Sequence, residues 1–496
     1  AWQEKVTGIP RAQVIQLARE FAETAALTEG RAMIIVGAGL NHWYHMDMIY
    51  RSIINLLVMC GCVGKSGGGW SHYVGQEKLR PQTGWAPLAF VTDWVRPPRQ
   101  MNGTSFFYAH TNQWRYEKVQ VSEILSPLAN DDDWKNTSLI DCNVRAERMG
   151  WLPSAPQLNL NPLTIKALAD KAGRNIPDYV TSALKLGTIS MSCEDPDNPV
   201  NWPRNMFIWR SNLLGSSGKG HEYFLKYLLG TQNALFDDPD EAVKPSEVKF
   251  REEAAEGKLD LLTVLDFRMS TTCLYGDIVL PTATWYEKDD LNTSDMHPFI
   301  HPLSEAVQPL WESKTDWEIY KGIAKKFTEI GGEYLGTRKD IVLQPLMHDT
   351  PGELGQAFEP KDWKKGECDL IPGKTAPNMI VVERNYKDIF KKFTSIGPLL
   401  DKLGNGGKGI NWNTEHEVKE IGGITKLVTE EGVSKGRPRL ESAIDGCEMI
   451  LTFAPETNGH VSVKAWEALG KITGRDHTHL AVGREHDKIR FRDVQA

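Results

Sequence analysis

Between Cys60 and Gln76 six of seventeen residues are glycine, and Lys65 and Ser66 stand among them. Glycine accepts positive φ and lets backbone approach a neighbour closely. The run Gly64-Lys65-Ser66-Gly67 therefore presents N–H groups, a cation and a hydroxyl to a single anion. The same composition also suits a surface turn, and the sequence around it has to choose. Gly37-Ala38-Gly39-Leu40-Asn41-His42 opens like a dinucleotide fingerprint, but His42 occupies the place of the third glycine and no acidic residue closes a second strand about 20 residues on. A second turn, Arg210-Ser211-Asn212-Leu213-Leu214-Gly215-Ser216-Ser217-Gly218-Lys219-Gly220, is again rich in glycine, hydroxyls and cations. Asp266 ends an apolar run; a carboxylate there either caps the next turn or accepts two parallel hydrogen bonds, as from the N1–H and N2–H₂ edge of guanine.

No catalytic set made of protein groups alone stands out. His42-x-x-His45 lacks the acid of a zinc-protease helix, His477-Thr478-His479 has strand spacing, and Cys60-Gly61-Cys62 is not a Cys-x-x-Cys pair. Glu287, Asp289 and Asp290 read as a helix start or loop cluster, and neither a Gly-x-Ser-x-Gly elbow nor a phosphate-binding Walker loop is present. Any reaction must then be carried by a bound cofactor, with the protein supplying orientation and electrostatics.

The elements that position these residues follow from periodicity. Val14, Leu17, Ala18, Phe21 and Ala22 recur at helical spacing. Met33–Val36 is a short apolar strand ending at Gly37, and Met48 to Cys60 is a helix that Gly61 terminates. Strand, glycine turn and helix repeat at Met206–Trp209, the Arg210 turn and a helix through Tyr223, Phe224, Tyr227 and Leu228. Leu259–Asp266 and Asp277–Pro281 read as further buried strands. Strands alternating with helices imply an α/β fold with a mostly parallel sheet, whose ligands bind beyond the carboxyl ends of the strands. A helix from Asp316 is expected to bury Trp317, Tyr320, Ile323, Ala324 and Phe327, residues 331–439 to be loops with short elements, and Met449–Pro455 to be a last strand before a helix through Trp466 and Leu469. The aromatic stretch Arg80 to Tyr116 reads as a long loop packed on a core or on a partner.

Composition bounds the function class. At 496 residues, 41% hydrophobic and 25% charged, the chain has a globular composition. A net charge of −8 without a long basic cluster argues against nucleic-acid binding, and no apolar run approaches a membrane span. Seven scattered cysteines fit a reducing compartment rather than a disulfide framework. The start at Ala1-Trp2-Gln3, without an initiator methionine, reads as an internal piece of something longer.

Three long motifs carry a family resemblance: Gly61–Trp70 with Tyr73–Trp85, Trp209–Gly220, and Leu280–Asp290. They resemble the catalytic α subunit of membrane-bound respiratory nitrate reductases, members of the dimethyl-sulfoxide-reductase superfamily. The resemblance implies a multi-lobed molybdopterin oxidoreductase body with Rossmann-like, mostly parallel sheets and long loop insertions. It divides as a first α/β region over 1–130, a dinucleotide-binding region over 131–330, a loop-rich insertion over 331–440 and the start of a C-terminal region over 441–496. It implies a molybdenum bis(molybdopterin guanine dinucleotide) centre reducing nitrate to nitrite, with electrons from quinol through an iron–sulfur β subunit and a haem-containing membrane γ subunit, at the cytoplasmic face of the cell membrane. Gly37, Gly39, Asn41, Gly64, Lys65, Ser66, Gly67, Gly75 and Gln76 would line the pterin region, Arg210, Ser211 and Asn212 would hold phosphate or ribose, and Asp266 with Thr271 and Thr272 would meet a guanine. His42 and His45 are candidates for contacts just outside the metal's own ligands. The family's metal-ligating aspartate and its 4Fe-4S ligands would lie outside these residues, so that the chain alone is expected to be inert. A nitrite oxidoreductase, another oxyanion reductase, or a cofactor-free scaffold are the alternatives.

Overall fold

A computed structural model describes residues 2–37, 39–40, 43, 45–72, 120–124, 137–151, 157–216, 223–231, 244–251, 253–294, 297–346, 361–397, 400, 404–407, 410–432, 434–481 and 483–494. Asn41, His42, Gly75, Gln76 and the aromatic stretch from 80 to 116 lie outside the described residues. The chain divides into two compact units, one of residues 1–82, 216–219 and 291–303, the other of the remainder.

The first unit carries helices α1 (Trp2–Thr7) and α2 (Arg11–Leu27), strand β1 (Met33–Val36), helix α3 (Met46–Met59) and strand β2 (Gly69–His72). β1 and β2 pair in parallel, Met33 opposite Gly69 and Val36 opposite His72, so the expected strand, turn and helix are completed by a second strand into a β–α–β unit. Gly61 ends α3 with φ of 66°, a left-handed value that suits glycine, and its N–H reaches the Val58 carbonyl at 3.1 Å. Ala25, Ala32, Leu57 and Cys62 form the small core. Helix α2 forms as its spacing predicts, yet of its residues only Ala25 is buried, and Leu17 remains 68% exposed. Periodicity identifies a helix and an apolar face but not whether this unit covers that face.

Among the described residues, three of the second unit's hydrophobic cores hold the elements around the site and the buried ion pairs. The first packs α4 (Leu139–Arg148), α5 (Pro162–Lys171) and α6 (Ile176–Lys185) with residues of the antiparallel pair β6 (Thr337–Gln344) and β7 (Asn378–Asn385), which complete this core. The second is the sheet that concerns function: β3 (Asn205–Trp209), β4 (Leu261–Asp266) and β5 (Ile278–Pro281) lie side by side in that order, all parallel. β4 is central, and Leu262 to Asp266 are buried without interruption, as expected of a strand covered on both faces. Full burial of Val264 and Leu265 contributes about 1.5–3 kcal/mol each. The turn of helix at Tyr223–Leu228 buries Tyr223, Phe224, Tyr227 and Leu228 against this sheet, while Phe207 and Trp209 on the other side of β3 are exposed. The third core joins helices α9 (Glu415–Thr425) and α10 (Ala443–Phe453); α7 (Thr271–Tyr275), α8 (Asp316–Leu335) and α11 (Gly459–Thr473) are further helices of this unit.

Two expectations are corrected here. Met449 to Phe453, expected in a strand, form the last turns of α10, whose start is fixed by a capping box between Ser442 and Asp445. Every residue from Asp445 to Phe453 is buried, and a helix surrounded on all sides shows the same unbroken apolar run as an inner strand. On α8, Ile319 and Ala324 are buried, whereas Ile323 and Phe327, expected inside, are exposed.

One buried ionic hub ties the first core together. The fully buried Arg148 guanidinium donates to Asp362 through Nε at 3.2 Å, to Glu194 at 3.1 Å and to Glu247 at 2.7 Å. Burial opposes charge on Glu247, but hydrogen bonds from Lys365 and Arg148 outweigh it and hold the carboxyl below its ordinary range. Its folded pKa being depressed, Glu247 contributes stability that is fully present above the unfolded glutamate pKa of about 4.3 and is lost as pH falls through the folded value. Glu247→Gln is therefore expected to flatten the acid limb of a stability profile below about pH 4.5, measured by denaturant midpoints at successive pH values. An unchanged acid limb would remove Glu247 from the hub's energetics.

Candidate functional site

The candidate site is the carboxyl edge of β3–β4–β5. β3 leads into Arg210, whose N–H still bonds to the Leu265 carbonyl at 2.8 Å but whose φ of 54° is left-handed. A non-glycine residue held there is strained by about 1–3 kcal/mol and needs surroundings that hold it. The surroundings are an ion pair: Arg210 Nε and Nη2 reach the two oxygens of Asp316 at 3.1 and 2.7 Å, and Nη2 also donates to the Ala283 carbonyl at 2.9 Å. The guanidinium lies over the Phe267 ring, with its carbon 5.4 Å from the ring centre. Asp316 opens α8 and also accepts from Trp209 Nε1 at 2.8 Å and Lys288 Nζ at 3.2 Å. Arg210 thus has one face committed to the fold, and its Nη1 has no hydrogen-bond partner among the described residues.

Behind Arg210 the turn is latched. Asn212 Oδ1 accepts from the Thr272 N–H and hydroxyl, both at 3.1 Å, and Thr272 Oγ1 accepts from the Leu214 N–H at 3.0 Å. Gly215 is required by this latch, since a Cβ there would stand 2.5 Å from Asn212 Nδ2 and 2.8 Å from Thr271 Cβ. Asn212 and the fully buried Thr272 hold the loop's shape, while Ser211 and Thr271 are exposed.

Asp266 closes β4 and is 8% exposed. Its Oδ1 accepts the N–H groups of Phe267 at 2.8 Å and Arg268 at 3.3 Å, the turn-capping arrangement that its position allowed. Its Oδ2 has no hydrogen-bond partner among the described residues. One strand over, Thr282 pairs its N–H with the Asp266 carbonyl at 3.0 Å, and its buried Oγ1 has no hydrogen-bond partner among the described residues. Asp316, Lys288 and Thr282 were not singled out by sequence reasoning. Only the Asp at a helix start and the Leu280-Pro281-Thr282 run hinted at them, because a partner 106 residues from Arg210 leaves no trace in local spacing.

In the first unit the glycine-rich loop lies at the end of the strand pair opposite to Gly37 and Gly39. Gly64, Lys65, Ser66 and Gly67 precede β2, at the amino ends of the two parallel strands, and Lys65 and Ser66 are exposed. Its glycines answer to close backbone contacts: a Cβ on Gly68 would stand 2.1 Å from the Gly30 carbonyl oxygen, and one on Gly30 2.4 Å from that of Gly61. Gly37 and Gly39 instead follow β1 at its carboxyl end, both exposed, and His45 immediately precedes α3.

The carboxyl edge in the second unit fits a dinucleotide in its donor set. Arg210 Nη1, Ser211 and Thr271 offer donors suited to phosphate or ribose, Asp266 Oδ2 is an acceptor suited to a guanine edge, and the Thr282 hydroxyl is a buried polar atom in want of a partner. None of the seven cysteines is paired, and burial pushes the thiols of Cys193 and Cys447 well up, consistent with packing roles.

Residues 11–326 match the family model described as molybdopterin oxidoreductase, and residues 403–496 match that of nitrate reductase alpha chain, domain V. Over its whole length the chain is 64% identical to the respiratory nitrate reductase 2 alpha chain of Escherichia coli (strain K12) and 50% identical to the nitrate reductase alpha chain of Bacillus subtilis (strain 168), covering 40% and 41% of those chains. Over 65% of its length it is 29% identical to the perchlorate reductase subunit alpha of Dechloromonas aromatica (strain RCB), covering 25% of that chain. The chain spans about two fifths of the length of the first two relatives.

Proposed function

Given that the chain belongs to the molybdopterin oxidoreductase family, we propose that it is the dinucleotide-gripping part of the catalytic subunit of a respiratory nitrate reductase. The observation that carries this reading is the carboxyl edge of β3–β4–β5, where Asp266 keeps one carboxylate oxygen open beside a turn already latched by Asn212 and Thr272. When bound, a molybdenum bis(molybdopterin guanine dinucleotide) centre supplies the two-electron oxygen-atom chemistry that turns nitrate into nitrite. The chain's own residues orient that group. Asp266 Oδ2 accepts the guanine's N–H groups, Arg210 Nη1, Ser211 and Thr271 donate to phosphate or ribose oxygens, and Asn212 and Thr272 hold the loop so that binding orders little further. At the carboxyl end of β1, Gly37 and Gly39 leave room for backbone to approach the pterin, with Asn41, His42, His45, Gly75 and Gln76 as further candidates around it.

A 4Fe-4S cluster, an iron–sulfur β subunit and a haem-containing membrane γ subunit would complete electron delivery from quinol at the cytoplasmic face of the membrane. Among the described residues no helix is long and apolar enough to cross a membrane, so attachment would run through the partners. Reduction of a chlorine oxyanion is a second reading, favoured by the similarity to a perchlorate reductase subunit; nitrate and chlorate turnover by the same assembled enzyme separates the two.

Asp266→Asn tests the grip. Asparagine keeps an oxygen for the turn but offers an N–H₂ group where guanine needs an acceptor. With a charge-assisted bond worth about 1.5–3 kcal/mol, the assembled enzyme is expected to retain guanine dinucleotide about ten- to a hundredfold less well, read as nucleotide released and molybdenum bound per subunit. Full retention of the dinucleotide with unchanged nitrate turnover would overturn the assignment.

A further inference from the structure

Away from the sheet, the first turns of α9 and α11 bring two histidines onto one carboxylate. His416 Nδ1 and His460 Nε2 each lie 3.6 Å from Oε1 of Glu417. The three ligand atoms are within 4.8 Å of one another. A tetrahedral cation with bonds of about 2.1 Å places its ligands about 3.4 Å apart, so both histidine-to-glutamate spacings are already close to those of a filled site. Glu417 is fully buried, His460 is 25% exposed and His416 58% exposed on the side chain. This arrangement leaves an outward position for water.

A second observation points the same way. His460 Nδ1 faces Glu485 Oε1 at 3.3 Å, an acceptor for a proton on Nδ1, and Nε2 is the ring nitrogen turned to Glu417. That carboxylate–histidine relay orients imidazoles that bind metals. Beside it, Glu420 Oε2 is buried without a hydrogen bond among the described residues and lies 4.0 Å from His416 Nδ1. The cationic neighbours are Lys464, which donates to both oxygens of Glu417 at 2.9 Å, and Lys488 and Arg490, which occupy the other oxygen of Glu420.

We propose that His416, Glu417 and His460 form a binding site for a divalent transition-metal cation of the zinc class, separate from the dinucleotide edge, clasping α9 to α11. Imidazole and carboxylate ligands suit Zn²⁺ and its open-shell analogue Co²⁺ better than Mg²⁺ or Ca²⁺, which prefer all-oxygen shells. Lys464 is the competitor: its ammonium already neutralises Glu417, and the cation must share that carboxylate or displace it. The site has no assigned part in turnover. Its effect is on stability, because an ion that binds only the folded chain raises its melting temperature with concentration.

The test uses the untagged, metal-stripped full chain, titrated with Zn²⁺ by calorimetry and with Co²⁺ by visible absorption. One equivalent of Zn²⁺ is expected to bind saturably and raise the melting temperature, and Co²⁺ should show the intense d–d bands of a four-coordinate site. His416→Asn and His460→Asn should each weaken binding about tenfold or more, and Lys464→Met should tighten it. The lysine variant gains affinity, so misfolding cannot imitate its result. Absence of saturable binding, binding undiminished in both histidine variants, or weaker binding in Lys464→Met would overturn the proposal.

Discussion

Arg148→Ala is expected to cost about 3–5 kcal/mol and to open the first core of the larger unit, the range observed when one partner of a buried ion pair is removed. The magnitude follows from what the side chain leaves behind. Asp362 is fully buried and receives two of the guanidinium's bonds, and Glu194 and Glu247, each about nine-tenths buried on the side chain, receive the others. Burial works against the charge on Arg148, but the hydrogen bonds and charges of these carboxylates outweigh it and raise its pKa further. Without it, the Asp362 carboxylate keeps, among the described residues, the Lys364 N–H at 2.9 Å and the Arg145 side chain at 3.7 Å. The loop carrying Asp362 is also seated by Trp363, whose indole donates to the Arg148 carbonyl at 3.4 Å. Hydrogen exchange should therefore accelerate together in residues 139–148 and 361–367, while amides of β4 hold their protection. Arg148→Lys should recover little, since one ammonium cannot reach three carboxylates in the geometry of a planar fork. A loss below about 1 kcal/mol, the range of exposed pairs, would show that the hub is solvated and dispensable.

Gly68→Ala is the second large effect, and it separates two roles for the glycine-rich loop. The added methyl would stand 2.1 Å from the Gly30 carbonyl oxygen and 3.1 Å from that of Cys62, both backbone atoms that cannot swing aside. Overpacking of this kind costs about 1–3 kcal/mol and more where backbone must move. The substitution should loosen the β1–α3–β2 unit, read as faster proteolysis between residues 28 and 72. Lys65→Met and Ser66→Ala, on exposed positions of the same loop, should leave stability within about 0.5 kcal/mol. If instead Gly68→Ala were neutral, and Lys65→Met stripped cofactor from the assembled enzyme, the loop would be a ligand cradle and not a backbone crossing.

The glycines of that loop illustrate how far composition reaches. Their density was legible, and so was a requirement for unusual backbone. Whether the backbone approaches a ligand or another strand depends on which end of the sheet the loop occupies, and β2 begins only after the loop is complete. Asp266 shows the opposite case: a carboxylate at the end of a buried apolar run was visible in the sequence, and the structure places it at a strand end with one oxygen used by the turn and the other open.

By itself the sequence determined the order of strands, turns and helices around β1 and β3, the parallel α/β class, the positions of Arg210, Ser211, Asn212 and Asp266 just beyond strand ends, and the resemblance carried by three long motifs. These are local properties, written in periodicity, capping residues and contiguous runs. Only the tertiary structure decided that Arg210 leans on Asp316, that Arg148 holds Asp362 from 214 residues away, that Met449–Phe453 coil inside a core, and that His416 and His460 converge on Glu417. The reason is physical: a side chain's partner is chosen by register and packing between distant elements, and those distances are set when the chain folds, not by spacing along it.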